Sequence, residues 1–168
     1  LRFAFLILAQ QRDLYVLHSA SFLYRGRAFL VSGSSGTGKS THSALWHDLY
    51  QTPLLNGDLN LLGIKDNLPY AYGLPWCGTS GICTPDNYPL GGIIFLKQAA
   101  ADQVQSLQPD EKVLHILQRM ISPAWTKELL LRTLHFSEAL APLIFSCRLY
   151  CTKEPSAAET LKAAIDAL

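Results

Sequence analysis

The sequence predicts an α/β fold in which a mixed sheet is flanked by helices. Three observations carry that expectation. An apolar, β-prone run at residues 28–32 enters a Gly/Ser-rich turn at 33–40 and leaves into a stretch free of Gly and Pro at 41–50, which is strand, loop and helix in order. Several more short extended segments lie between residues 53 and 107. The last third alternates helical patterns with one clear strand.

The elements follow in chain order. Residues 1–10 are apolar and read as a buried helix in preference to a strand, the pattern admitting either. Residues 14–18 and 21–24 read as extended, and Arg25-Gly26 offers a tight turn that would pair 21–24 with 27–32 as a hairpin. Ala44, Leu45 and Leu49 share one face of the helix at 41–50. Segments 53–56 and 59–64 are strand-like around Gly57-Asp58, and 68–72 is another short strand. Residues 73–92, with Pro75, Pro85 and Pro89 and five glycines, read as a long irregular stretch of the kind that often carries function. A strand is expected at 93–96 and another at 103–107. Pro109 near the first helical position, with Asp110 and Glu111 in the first turn, starts a helix at 109–121. One or two helices are expected over 124–140, a strand over 143–150, and a helix over 156–168 capped near Ser156.

Length and composition bound the function classes. The chain has 168 residues, 49% apolar and 16% charged, which suits a folded core and one domain over 1–168. Net charge is +1 and no Lys/Arg run stands out, so neither nucleic acid nor a membrane surface is the expected partner. The apolar run at 3–9 is too short to span a bilayer. The first residue is Leu1, so a trimmed chain is expected, with substrate recognition open to whatever precedes it. The spacing of Cys77, Cys83, Cys147 and Cys151 fits no common zinc pattern, and free thiols in a reducing cytoplasm are expected.

Gly33-Ser34-Ser35-Gly36-Thr37-Gly38-Lys39-Ser40 fits Gly-x4-Gly-Lys-Ser/Thr, the P-loop or Walker A pattern of P-loop NTPases. Small residues let backbone N–H groups wrap a polyphosphate, and the next helix points its partly positive end at the same anion. The motif assigns nucleotide contacts to Gly33, Ser34, Ser35, Gly36, Thr37, Gly38, Lys39, Ser40 and Thr41. Lys39 would reach the terminal phosphates and Ser40 would offer its hydroxyl to Mg2+. A phosphate-bound cation needs a second anchor, and Asp58, set among leucines, is the candidate. Asp66 reads as a turn residue, and Asp86 as a turn residue or a contact to substrate. His42 reads either as an exposed helix-start histidine or as one reaching the acceptor; Trp76 either walls the acceptor or anchors its loop; Arg119 and Arg132 are candidates to neutralise a transferred phosphate.

The narrower form Gly-x-Ser-Gly-x-Gly-Lys-Ser/Thr resembles the C-terminal domain of HPr kinase/phosphorylase and ATP-dependent phosphoenolpyruvate (PEP) carboxykinase. Leu17-His18 lies where HPr kinases carry a Leu-His pair, and Leu55-Asn56-Gly57-Asp58 lies where they carry paired Asp. Tyr72-Gly73-Leu74-Pro75-Trp76-Cys77-Gly78 and Gly92-Ile93-Ile94-Phe95-Leu96 resemble segments of HPr-kinase-like bacterial proteins. The resemblance implies a P-loop fold of the HPr kinase/PEP carboxykinase-like type. It implies a kinase binding ATP and Mg2+ and transferring the γ-phosphate to a hydroxyl on a peptide, protein or small molecule. Lys39, Asp58 and His18 would be catalytic, Ser40 and Asp58 would hold the metal, and a homo-oligomer is allowed. Two departures stand out: Gly57 replaces the first paired acid, and the Glu-x-Arg-Gly-x-Gly segment tied to HPr is absent. The alternatives are a nucleotide-binding regulatory module and an ATPase.

Overall fold

A computed structural model describes residues 2–78 and 80–168. Among these, the order is α1 (Arg2–Gln10), β1 (Tyr15–Tyr24), β2 (Arg27–Ser32), α2 (Lys39–Tyr50), β3 (Leu54–Asn56), β4 (Leu59–Lys65), β5 (Leu68–Tyr72), β6 (Tyr88–Gln98), β7 (Gln103–Ser106), α3 (Pro109–Arg119), α4 (Lys127–Leu140), β8 (Phe145–Cys151) and α5 (Pro155–Asp166). The fold is a mixed α/β structure with a mixed sheet and flanking helices, as the sequence predicts.

Two long strands shape it. The first half of β1 pairs antiparallel with β4, from Tyr15 opposite Leu62 to His18 opposite Leu59. The second half pairs antiparallel with β2, from Ser19 opposite Ser32 to Tyr24 opposite Arg27. Strand β6 behaves alike: its start meets β5, and its later residues run parallel between β2 and β8. The pairings β2–β1–β4–β5–β6 and β6–β2 therefore close a ring, with β8 and β7 added outside it.

Alternation along the central strands sends side chains to two separate cores. Ala28, Leu30, Ile93 and Phe95 join Tyr15, Leu17, Ile116, Phe136 and Leu140 beneath α3 and α4. Phe29, Val31, Ile94 and Leu96 join Phe22, Trp46, Leu149, Ala158 and Leu161 beneath α2 and α5. A smaller cluster of Ala9, Val16, Leu61 and Leu74 seats α1, and buried Gln10 fastens that helix by donating to the Pro123 and Leu129 carbonyls and to Thr133 Oγ1.

Several expectations need correction. Residues 14–18 and 21–24 are one strand, because Ser19 and Ser21 are buried and hydrogen-bonded rather than looped out. The irregular stretch ends at Tyr88, not at 92; Gly91 lies so close under the Phe29 ring that a Cβ would meet it at 2.6 Å. The final helix starts at Pro155, and Ser156 Oγ donates to Asp102 rather than capping the helix. The expectation of one or two helices over 124–140 is met by a single helix, which begins at Lys127, with Thr126 accepting from the Leu129 N–H. Cys77 and Cys83 form a disulfide, since turns at Gly78 and Gly81 bring their Cα atoms to 4.7 Å; Cys147 and Cys151 are free and buried. Among the described residues no helix is long and apolar enough to cross a membrane.

Candidate active site

Strand β2 ends at buried Ser32, whose Oγ donates to the His18 carbonyl at 2.7 Å. Residues 33–38 then form an open loop. Gly36 at φ +77 and Gly38 at φ +101 take backbone angles that a side chain would strain. Thr37 N and Oγ1 both donate to the Ser34 carbonyl, which tightens the turn, and Gln98 Nε2 donates to the Gly36 carbonyl at 3.1 Å. Gly38 caps α2, so the first N–H groups of the helix have no partner within it. Ser34, Ser35, Gly36, Ser40 and Thr41 are exposed, while Thr37, Gly38 and Lys39 are half-buried.

Lys39 lies across the mouth of its own loop. Its Nζ donates to the Gly33 and Ser34 carbonyls, each at 3.2 Å. Burial, with the Arg119 guanidinium next, lowers its pKa, and Asp58 works in the opposite direction. Arg119, the last residue of α3, donates through Nη2 to Ser34 Oγ at 3.3 Å. Helix α3, which covers the first core, thus delivers a cation to the loop. Arg132 does not join it; on α4 it pairs with Glu128 at 3.4 Å.

His18 and Asp58 face each other, with Nε2 and Oδ1 at 3.7 Å and each side chain 35% exposed. Burial lowers the His18 pKa most; Lys39 and Arg119 lower it further, and Asp58 opposes them. His18 is therefore mostly neutral at pH 7 and able to accept a proton. Four groups, His18, Lys39, Asp58 and Arg119, feel one another's charge beside the glycine loop.

The placement of Asp58 comes from a buried polar network. Asn56 Oδ1 accepts from the Asp58 N–H at 3.0 Å and the Leu59 N–H at 3.1 Å, which bends the chain so that β3 and β4 follow β1 without pairing with each other. The Ser19 N–H donates to the Asp58 carbonyl at 3.1 Å. Asn60 Nδ2 donates to the Ser19 carbonyl, and Ser21 Oγ donates to Asn60 Oδ1. These groups satisfy one another in the interior, as buried polar groups must. Asn60 within Leu59-Asn60-Leu61-Leu62, and serines inside the apolar β1, are the sequence signals that would have found them.

The loop over residues 77–83 covers this turn. A Cβ on Gly57 would meet Ser80 Oγ at 2.1 Å, and one on Gly78 would meet Asp58 Oδ2 at 2.5 Å. The Gly57 N–H donates to the Ile82 carbonyl at 3.3 Å. Position 57 thus has no room for a side chain, because the cross-linked loop occupies that space. Trp76 both packs against the cluster under α1 and borders a cavity of about 330 Å³ with His18 and Asp58.

Two further cavities flank the glycine loop. One, of about 360 Å³, lies against the start of α2 and is bordered by Gly38, Thr41, His42, Leu45, Gln98 and Thr152. His42 is buried here, which corrects the reading of it as an exposed helix-start histidine. Its Nε2 accepts from Trp46 Nε1 at 3.2 Å, so the neutral ring carries its proton on Nδ1, which has no partner. Burial pushes its pKa down to about 4. The other cavity, of about 590 Å³, is bordered by Lys97, His115, Arg119 and Arg148. Asp66 sits in an exposed turn, as expected, and exposed Asp86 lies in an irregular segment with its N–H donating to Thr84 Oγ1.

Ser40 and Asp58 are hard oxygen donors, and among the described residues no group of three or more His, Cys, Asp or Glu could hold a metal.

No protein-family profile and no curated protein matches the chain. Among solved structures it is similar to the Hpr(Ser) kinase/phosphatase from Coxiella burnetii, at 9% identity and a TM-score of 0.45, covering 90% of this chain and 98% of that one. A likeness of that degree carries no argument about activity.

Proposed function

We propose that this chain is an ATP-dependent phosphotransferase that passes the γ-phosphate to a hydroxyl acceptor. The reading rests on one observation: a glycine loop and helix start lie beside Lys39, Arg119, His18 and Asp58, three basic side chains and one carboxylate. The triphosphate lies over the N–H groups of residues 34–41. Lys39 leaves two neutral carbonyls for a phosphate, an exchange the greater negative charge favours. Arg119 neutralises charge on the group in transfer. The base occupies the cavity by Thr41, His42 and Leu45. Asp58, with neutral His18 beside it, orients the acceptor hydroxyl and takes its proton. Mg2+ held by Ser40 and Asp58 would supply charge neutralisation along the phosphates.

Incubation with γ-labelled ATP, Mg2+ and an extract of the source cells tests this. Label should reach an acceptor and be lost in Lys39→Ala. A second reading, a regulatory nucleotide-binding module, draws on Gly57 in place of an acid. Tight ATP binding with no turnover would favour it, and free phosphate without a labelled acceptor would favour an ATPase.

A further inference from the structure

The cavity beside His18 and Asp58 is walled by Phe5, Leu6, Val16, Leu59, Leu74 and Trp76. Its other bordering residues include Ile121 and, as a cation, Arg2. Polar chemistry is otherwise confined to the His18–Asp58 side, where the charge of Lys39 is felt. The wall is held in place: Trp76 meets Phe5 edge-to-face at 4.6 Å, and Asn56 Nδ2 donates to the Trp76 carbonyl at 3.3 Å. Asn56 also fixes the Asp58 N–H, so one side chain sets both the apolar wall and the carboxylate. The volume of about 330 Å³ falls at the lower end of small-molecule pockets, which run from about 300 to 1,000 Å³. That is the scale of a small molecule, and pockets of this make-up bind apolar bodies and orient them by a few polar atoms.

We propose that the phosphoryl acceptor is a small alcohol with an aromatic or branched aliphatic body. The body fills this cavity and its hydroxyl lies between Asp58 and the glycine loop. The chemistry rests on the phosphotransfer reading; the binding does not. In the step, the acceptor oxygen forms a bond to the γ-phosphorus as the bond from that phosphorus to the β,γ-bridging oxygen breaks. The bridging electron pair leaves with ADP, and the hydroxyl proton passes to the Asp58–His18 pair and then to water. A polar polyol would leave the six apolar walls facing nothing that matches them.

The probe is 4-phenylbutan-1-ol, with glycerol as the polar control. Calorimetry on the full chain without nucleotide should show saturable one-to-one binding of the probe and none of glycerol. Trp76→Ala and Leu6→Glu, each checked for folding by far-UV circular dichroism, should each weaken binding at least tenfold. With Mg2+ and ATP, 31P NMR should show a phosphate monoester of the probe. No saturable binding to folded protein, or binding that neither variant alters, overturns the inference. If ATP is turned over on a peptide serine while the probe neither binds nor competes, the inference falls and the transferase reading stands. If the probe binds as described but ATP does not, the transferase reading falls and the cavity keeps its assignment as a site for apolar alcohols.

Discussion

At the scale of single residues, charge and burial make opposite uses of two histidines. His18 is partly exposed and depends on its neighbours. Asp58 holds its pKa up against burial and two cations, so Asp58→Asn should lower that pKa further. A two-dimensional NMR titration of the His18 ring checks the direction, and an upward move would refute the proposed pairing. In activity, Asp58→Asn should cost roughly 10²–10⁴-fold, the usual range for a general base. His42 is 2% exposed and matters to stability. Its native pKa of about 4 lies below the ordinary 6.5. Between those values the unfolded chain binds a proton that the native chain refuses, so stability falls as pH falls from about 6.5 to about 4. It loses nothing more from this group below that. The loss is about 3 kcal/mol, visible as a drop in Tm across that window that His42→Gln should abolish.

At the scale of elements, the turn at Gly57-Asp58 and the loop at 77–83 act together. Placing a second acid beside Asp58 by Gly57→Asp should lower activity rather than raise it, because the new side chain collides with Ser80. Reducing Cys77–Cys83 should speed hydrogen exchange at the Gly57 N–H, whose acceptor is the Ile82 carbonyl within that loop; unchanged protection would show that the loop holds without its cross-link. These elements also mark where the sequence was readable. The strand, glycine loop and helix at 28–50 were legible because apolar alternation, compulsory glycines and a helix start coincide there. Arg119 could be weighed as a cation but not placed, since nothing local says that α3 ends over Ser34. The Cys77–Cys83 disulfide runs against the expectation of free thiols because a compartment argument carries no information about the turns at Gly78 and Gly81 that bring the two cysteines together. The partnership of Asn56 with both Asp58 and Trp76 spans 20 residues and depends on tertiary closure, which a local pattern does not encode.

At the scale of the whole molecule, two cores on opposite faces share the strands that carry the site. Trp46, fully buried and stacked on Phe22 at 4.3 Å, anchors the core under α2. Trp46→Ala should cost about 3–5 kcal/mol, read from urea unfolding, whereas Trp125→Ala, at a side chain 57% exposed, should cost far less. Strand β1 changes partner between His18 and Ser19, so the residue proposed for proton transfer sits at the junction of two ladders. An inserted or deleted residue anywhere upstream in that strand would turn His18 inward and carry an apolar neighbour into its place. The spacing from Tyr15 to Ser19 is therefore inherited intact by any descendant of this chain, or the chemistry is lost with it.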